Sequence, residues 1–155
     1  MIKKILVGID DSKYAEKALR RALDVQKKYG SDLVVFHSIE HKMIPKYIKL
    51  PRIPFGPSKI YEIPENDYIK LRQEYLNKGE EIIKKAEKLI DKRNKNVVFE
   101  LIKGIKPEVY AISKSKNFDL ILMGKKGDHN ALEKRFGSVA EDVMENSDCI
   151  VMLVK

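Results

Sequence analysis

Five short apolar runs alternate with segments of helical period along this chain, and that alternation limits the possible folds more than any other feature. Ile2 to Ile9, Leu33-Val34-Val35-Phe36 within Asp32 to Ser38, Val97 to Leu101, Phe118 to Met123 and Cys149 to Val154 have strand length and little polar interruption. Strands covered on both faces read this way, whereas half-exposed strands alternate apolar with polar residues. Between the runs lie amphipathic segments. Ala15, Ala18, Leu19, Ala22, Leu23 and Val25 fall at helical spacing behind Asp10-Asp11-Ser12, whose side chains can cap a helix, and Gly30 ends that helix. A second stripe starts from about Asn66 and takes in Leu71, Tyr75, Gly79, Ile82, Ile83, Ala86, Leu89 and Ile90, with an expected end at Asp91 to Asn94. Pro107 opens a short third helix carrying Val109, Ala111 and Ile112. Gly137 to Glu145 reads as a fourth, with Val139, Ala140, Val143 and Met144 on its inner side. The order βα-βα-βα-β-loop-α-β predicts an α/β fold: a three-layer, doubly wound, five-stranded parallel sheet in strand order 3-2-1-4-5, with right-handed crossovers.

One stretch breaks the pattern. Residues from about 39 to 65 hold Pro45, Pro51, Pro54, Pro57 and Pro64 among Tyr47, Phe55 and Tyr61. The prolines exclude a regular helix or a central strand there. Connections this long in a domain are uncommon and are usually functional or disordered. No repeat or linker divides the chain, so residues 1–155 are expected to form one domain with this proline-rich insertion.

Composition excludes several classes. With 43% hydrophobic and 35% charged residues the chain suits a globular protein, and no apolar run nears the roughly eighteen residues a membrane helix needs. The formal charge of +8 is spread along the chain, interleaved with Asp and Glu, and lysine far outnumbers arginine. Base readout and bidentate phosphate contacts lean on arginine, so a solvated Lys/Glu surface is favoured over a nucleic-acid face. The single Cys149 cannot form an internal disulfide, and the first residues enter a strand pattern at once, which makes cytoplasm the expected compartment.

The candidate site begins at Met123-Gly124-Lys125-Lys126-Gly127, followed nine residues later by Gly137-Ser138. An apolar strand, a glycine loop and a helix start is an arrangement that binds phosphate, because glycine admits close backbone approach and free N–H groups favour an anion. In open α/β sheets ligands bind at the carboxyl ends of the strands, where the strand order reverses. Here that point lies between strands one and four, flanked by Gly8-Ile9-Asp10-Asp11-Ser12 and by the glycine loop. Neither G-x-x-x-x-G-K-[ST] nor a G-x-G-x-x-G after strand one is present, which argues against P-loop and dinucleotide chemistry.

The chain resembles the universal stress protein family over nearly its whole length. The family's nucleotide motif is a glycine, two residues, a glycine, nine residues, a glycine, then serine or threonine; Gly124, Gly127, Gly137 and Ser138 match it without a gap. Ile5-Leu6-Val7-Gly8-Ile9-Asp10-Asp11-Ser12 is similar to the family's opening strand and its acidic residue, and Val139-Ala140-Glu141-Asp142-Val143 to the segment after its Gly-Ser. The resemblance implies an adenine nucleotide alpha hydrolase-like fold and an ATP-binding member. It places Asp10 near the adenosine, with Gly8 where the family often has proline. Ser38 would offer backbone atoms to adenine, and Met123 would line the base or ribose. Gly124 and Gly127 would shape the loop around ribose and phosphates. Gly137, Ser138 and Val139 would present N–H groups, and Ser138 its hydroxyl, to the phosphates. A divalent cation, Mg or Mn, would accompany the triphosphate. Lys125 and Lys126, with Lys134 and Arg135 nearby, would draw in a polyanion, although lysines on a solvent-facing loop are the plainer alternative. The resemblance also points to a homodimer through the edge of strand five, Ile150 to Val154, whose lack of charge leaves it open to pairing.

Other readings compete. His37-Ser38-Ile39-Glu40-His41 spells H-x-x-E-H, but zinc peptidase chemistry needs that motif on a helix, and here it ends a strand. His129 could approach phosphate or simply be exposed, and Cys149 reads as a small core residue. An adenylating or nucleotidyl-transfer enzyme is the main rival, yet Gly8 to Ser12 retains only an Asp-Ser end of such enzymes' loop and no general base is evident. A nucleotide-free dimerising scaffold is the third. The favoured function is therefore an ATP-binding regulatory or stress-response protein with at most slow hydrolysis.

Overall fold

The computed structural model of the chain describes residues 1–41, 46–50, 56, 59–127 and 136–155. Strand β1 (Lys4–Gly8) carries Ile5, Leu6 and Val7, none of which has any exposure. Helix α1 (Lys13–Tyr29) starts where Ser12 accepts the Ala15 N–H at 3.1 Å and stops at Gly30, whose φ of 69° lets its N–H reach the Gln26 carbonyl at 2.8 Å. Strand β2 (Asp32–Ser38) follows.

The insertion contains a feature that the sequence pattern did not foresee. Two short strands, β3 (Tyr47–Lys49) and β4 (Ile60–Glu62), pair antiparallel with each other and apart from the main sheet, and every residue in them is exposed. Strands of this length carry no readable period, and a lone ribbon obeys the rule that prolines keep this segment out of the sheet's centre. Pro45, Pro51, Pro54, Phe55 and Pro57 lie outside the described residues.

Helix α2 (Glu65–Glu87) ends before Leu89 and Ile90, which the amphipathic stripe would have included. There the backbone tightens into three-residue turns, Leu89 N–H to Ala86 and Ile90 N–H to Glu87, and both side chains still pack on the core. A Cβ on Gly79 would stand 2.8 Å from Ile39 and 2.9 Å from Leu101, so glycine is what lets α2 lie against the ends of β2 and the next strand. That strand is β5 (Val97–Ile102), followed by α3 (Pro107–Lys114) with proline in its first turn, β6 (Leu120–Gly124), α4 (Ser138–Asn146) and β7 (Ile150–Val154).

The main sheet has the order β5-β2-β1-β6-β7 with every pairing parallel, which is the 3-2-1-4-5 order expected once the ribbon strands are set aside. The pleat sends alternate residues to opposite faces. Ile5, Val7, Leu33, Val35, Leu120 and Leu122 meet α1 and α2 on one side. On the other, Leu6, Phe36, Ile121 and Met123 meet Tyr110 and Ala111 of α3 and Ala140 and Val143 of α4. Truncating one of these fully buried aliphatic side chains to alanine costs about 2–5 kcal/mol. No described helix is long and apolar enough to cross a membrane.

Candidate functional site

The chain leaves β1 toward α1 on one face of the sheet and leaves β6 toward α4 on the other, so the two connections part and open a cleft above the carboxyl ends of β1, β2 and β6. This cleft is open to solvent and is lined from all three of those strands and from the start of α4. The nine residues to which the resemblance gives a nucleotide contact all line it: Gly8 and Asp10 from the β1 side, Ser38 from β2, Met123, Gly124 and Gly127 from β6 and its loop, and Gly137, Ser138 and Val139 from the start of α4.

The glycines serve different purposes. A Cβ on Gly8 would lie 3.1 Å from the Phe36 ring and 3.4 Å from the Met123 methyl, so its absence keeps the floor of the cleft open. A Cβ on Gly124 would meet Tyr14 Cβ at 2.8 Å and the Ala15 nitrogen at 2.9 Å. That glycine is required by the first turn of α1, which sits directly on the end of β6. A Cβ on Gly127 would come within 2.9 Å of Asp10 Oδ2, so the loop abuts the Asp10 carboxylate across the switch point. The other oxygen of Asp10 accepts the Ser12 N–H at 2.9 Å, which fixes the side chain in a tight turn.

The loop after β6 is pinned at both ends. Lys125 donates its N–H to Val154 at 2.8 Å, and its carbonyl accepts the Gly137 N–H at 3.0 Å. The Lys125 ammonium lies 5.8 Å over the Phe136 ring, whereas Lys126 lines the cleft. Lys126 is in no ion pair among the described residues.

The α4 start differs in one respect from what the resemblance implies, the use of the Gly137 N–H. Gly137, in extended conformation, occupies the N-cap position, and no side chain caps the helix, so Ser138 is the first helical residue with its side chain on the exposed side. The Gly137 N–H is already used by Lys125, leaving the first-turn N–H groups of Ser138, Val139 and Ala140 without intrahelical acceptors. Bare N–H groups at a helix start, next to a lysine, make this end of the cleft receptive to an anion.

The other end is apolar and fixed. Phe36 packs on Tyr110 with ring centroids 4.8 Å apart, and Pro107 and His37 complete the wall. The Tyr110 hydroxyl donates to Glu100, and burial followed by that partner raises its pKa above the ordinary phenol range. Ser38 Oγ is fully engaged, donating to the Ile105 carbonyl at 2.6 Å and accepting the Glu40 N–H at 3.1 Å. Any ligand contact by Ser38 would therefore come from its backbone.

The H-x-x-E-H spelling resolves into separate structural parts. His37 is buried with Nδ1 2.8 Å from the Ile9 carbonyl, and Glu40 pairs with Arg72 at 2.6 Å. Among the described residues no group of three His, Cys, Asp or Glu side chains could hold a metal. The side chain of His41, together with His129, Lys134 and Arg135, lies outside the described residues. Cys149 is half-buried, and burial raises its thiol pKa above the usual value, as suits a packing residue. Phe36, Pro107 and Ala140 were not foreseen as cleft residues. Only the third, two places beyond the Gly-Ser pair, carried a sequence signal.

Strand order and cleft together define a doubly wound α/β protein with an open cleft at its switch point. The chain belongs to the universal stress protein family, whose sequence model matches residues 1–155. The universal stress protein MJ0577 of Methanocaldococcus jannaschii is 32% identical over 158 residues, which cover 100% of this chain and 96% of that relative. Among solved structures, the universal stress protein UspA from Lactobacillus plantarum has the same fold at a TM-score of 0.77 and 18% identity, covering 99% of this chain and 98% of the other. The universal stress protein from Archaeoglobus fulgidus in complex with dAMP matches at a TM-score of 0.61 and 24% identity, with 100% of both chains covered.

Proposed function

We propose that this chain binds ATP in the cleft between β1 and β6 and acts as a nucleotide-dependent regulatory protein of the stress response. The observation that carries the reading is the convergence of Asp10, the Gly124–Gly127 loop, Lys126 and the uncapped start of α4 on one open cleft. The dAMP held by the Archaeoglobus relative supports an adenine nucleotide as the ligand. In this reading the base lies at the Ser38 and Pro107 end and the phosphates reach the N–H groups of Ser138 and Val139. Met123, Gly8 and Asp10 line the base and ribose, and Gly137 closes the loop behind the phosphates. A Mg or Mn ion would be held mainly by phosphate oxygens and water, because Asp10 is the one carboxylate among the described residues that line the cleft and Mg commonly takes few protein ligands. Hydrolysis is slow in this reading, and occupancy rather than turnover is the signal.

Isothermal titration of the nucleotide-stripped protein with Mg-ATP tests the reading. Saturable binding is expected, and none up to millimolar ligand would overturn it. We take residues 1–155 as one domain, the cytoplasm as its compartment and a homodimer through the β7 edge as its assembly. Ile150 at 63% and Met152 at 37% exposure on that outermost strand support the pairing. A monomeric mass by light scattering at micromolar concentration would remove the dimer.

A further inference from the structure

Just past the end of β2, a single buried carboxylate ties three separate segments together. Glu40 is 7% exposed. Its Oε1 accepts from Arg72 of α2 at 2.6 Å and from the Gly104 N–H, in the turn between β5 and α3, at 2.9 Å. Ser38 adds a second tie to the same turn through the Ile105 carbonyl, and its hydroxyl also holds the Glu40 N–H. Gly104 has a φ of 76°, a conformation that favours glycine, so the turn has a defined shape for these bonds to hold. Two residues beyond Ile105 stands Pro107, which faces Ser38's end of the cleft. Burying a carboxylate is costly unless it is paired and hydrogen-bonded, and an apolar side chain would serve if packing were all that was needed. What the carboxylate adds is a fixed distance between the end of β2 and the turn that leads into α3.

We propose that Glu40 is a positioning residue for the base end of the cleft: by holding the 103–106 turn against Ser38 it sets the gap between Ser38 and Pro107, and with it which base the cleft accepts. The inference rests on the nucleotide reading above and adds the residue that selects the base. Glu40 itself does not line the cleft; it acts through Ser38, Ile105 and Pro107. Arg72 makes α2 part of the same device, so the helix that follows the proline-rich insertion helps to set the base wall.

The test uses the full chain, stripped of nucleotide, as wild type, Glu40→Gln, Arg72→Met and Arg72→Lys. Each is titrated with adenosine, ATP and GTP, and amide exchange at Gly104 and Ile105 is followed without ligand. Glu40→Gln keeps the volume and an acceptor oxygen but removes the charge, which weakens the bonds from Arg72 and from the Gly104 N–H. Adenosine and ATP are expected to weaken by the same factor, on the order of tenfold, with the preference for ATP over GTP shrinking several-fold. Exchange at Gly104 should quicken, and Arg72→Lys should retain more of the preference than Arg72→Met. A lowered melting temperature with an unchanged ATP-to-GTP ratio would overturn the proposal, as would a loss confined to ATP with adenosine unaffected. If the wild type binds neither adenosine nor ATP, the nucleotide reading fails and base selection falls with it. Exchange at Gly104 then decides the mechanical half by itself, and an unchanged rate in Glu40→Gln would refute it.

Discussion

The two ends of the central sheet treat their polar groups in opposite ways. At the amino ends of the strands, Asp119 accepts the N–H groups of Lys3 at 2.7 Å and Lys4 at 2.9 Å, and Ser31 Oγ donates to the Ile2 carbonyl at 2.6 Å. Gln26, buried in α1, donates to the Asn96 carbonyl at 3.0 Å and accepts from the Asn94 amide at 2.7 Å. At the carboxyl ends, the first-turn N–H groups of α4 have no acceptor within their helix, and Lys126 has no ion partner among the described residues. Both ends carry a hollow, one beside Gln26 and one above β1. The presence of a hollow therefore does not separate them. One end has satisfied its polar groups internally and reads as a joint; the other has left them facing a cleft, which is why the proposed ligand is put there.

The sharpest way to break this contrast is Gly127→Val. The added side chain would displace Asp10 and fill the loop's inner side, so ATP affinity should fall by about a hundredfold or more, roughly 2.7 kcal/mol, with little change in melting temperature. Normal affinity by titration would show that the loop makes no close approach to a ligand. Gln26→Ala probes the closed end. It removes the partner of the Asn94 amide and one of the two donors to the Asn96 carbonyl, and should cost about 1 kcal/mol in urea unfolding, with ATP affinity untouched. A change in affinity comparable to the change in stability would mean that the two ends are not independent. Lys126→Ala should weaken ATP about tenfold, near 1.4 kcal/mol, and leave adenosine unchanged, with the difference shrinking as salt is added. Equal losses for both ligands would move Lys126 away from the phosphates.

The smallest expected effect is one of pH. Burial alone would raise the Glu40 pKa, but the Gly104 N–H and the Arg72 guanidinium outweigh it and hold the group below its ordinary value. A carboxyl depressed on folding stabilises above its unfolded pKa, and that contribution is lost as pH falls through the lower folded value. Wild type should therefore lose stability over that acidic window more steeply than Glu40→Gln, as measured by melting temperature against pH. Parallel curves would remove Glu40 as a contributor.

The fold was largely legible because each strand of the main sheet is an apolar run and each helix carries a stripe or a cap. Ser12, Gly30 and Pro107 mark helix boundaries through local chemistry that needs no tertiary knowledge. The glycine spacing was legible for the same reason, as a local pattern. What could not be read depends on partners remote in sequence. Glu40 meets Arg72, thirty-two residues away, and Gly104, sixty-four away, and nothing in H-x-x-E-H hints at either. The end of α2 was overrun because Leu89 and Ile90 do face the core, only from a tightened turn rather than from the helix. That the Gly137 N–H is spent on the Lys125 carbonyl, and so is not free for a phosphate, also depends on a partner twelve residues away.

Gly124 and Gly127 stand three positions apart in one motif, yet different neighbours hold them in place. Tyr14 and Ala15 press on Gly124 whether or not anything occupies the cleft, while Gly127 faces the Asp10 carboxylate, a side-chain end held by a single hydrogen bond rather than backbone. In a descendant of this chain that no longer needed a ligand, drift should erase Gly127 first and leave Gly124 in place. The pair would then serve as a record of history, with the second glycine reporting use and the first reporting only how a helix rests on a strand.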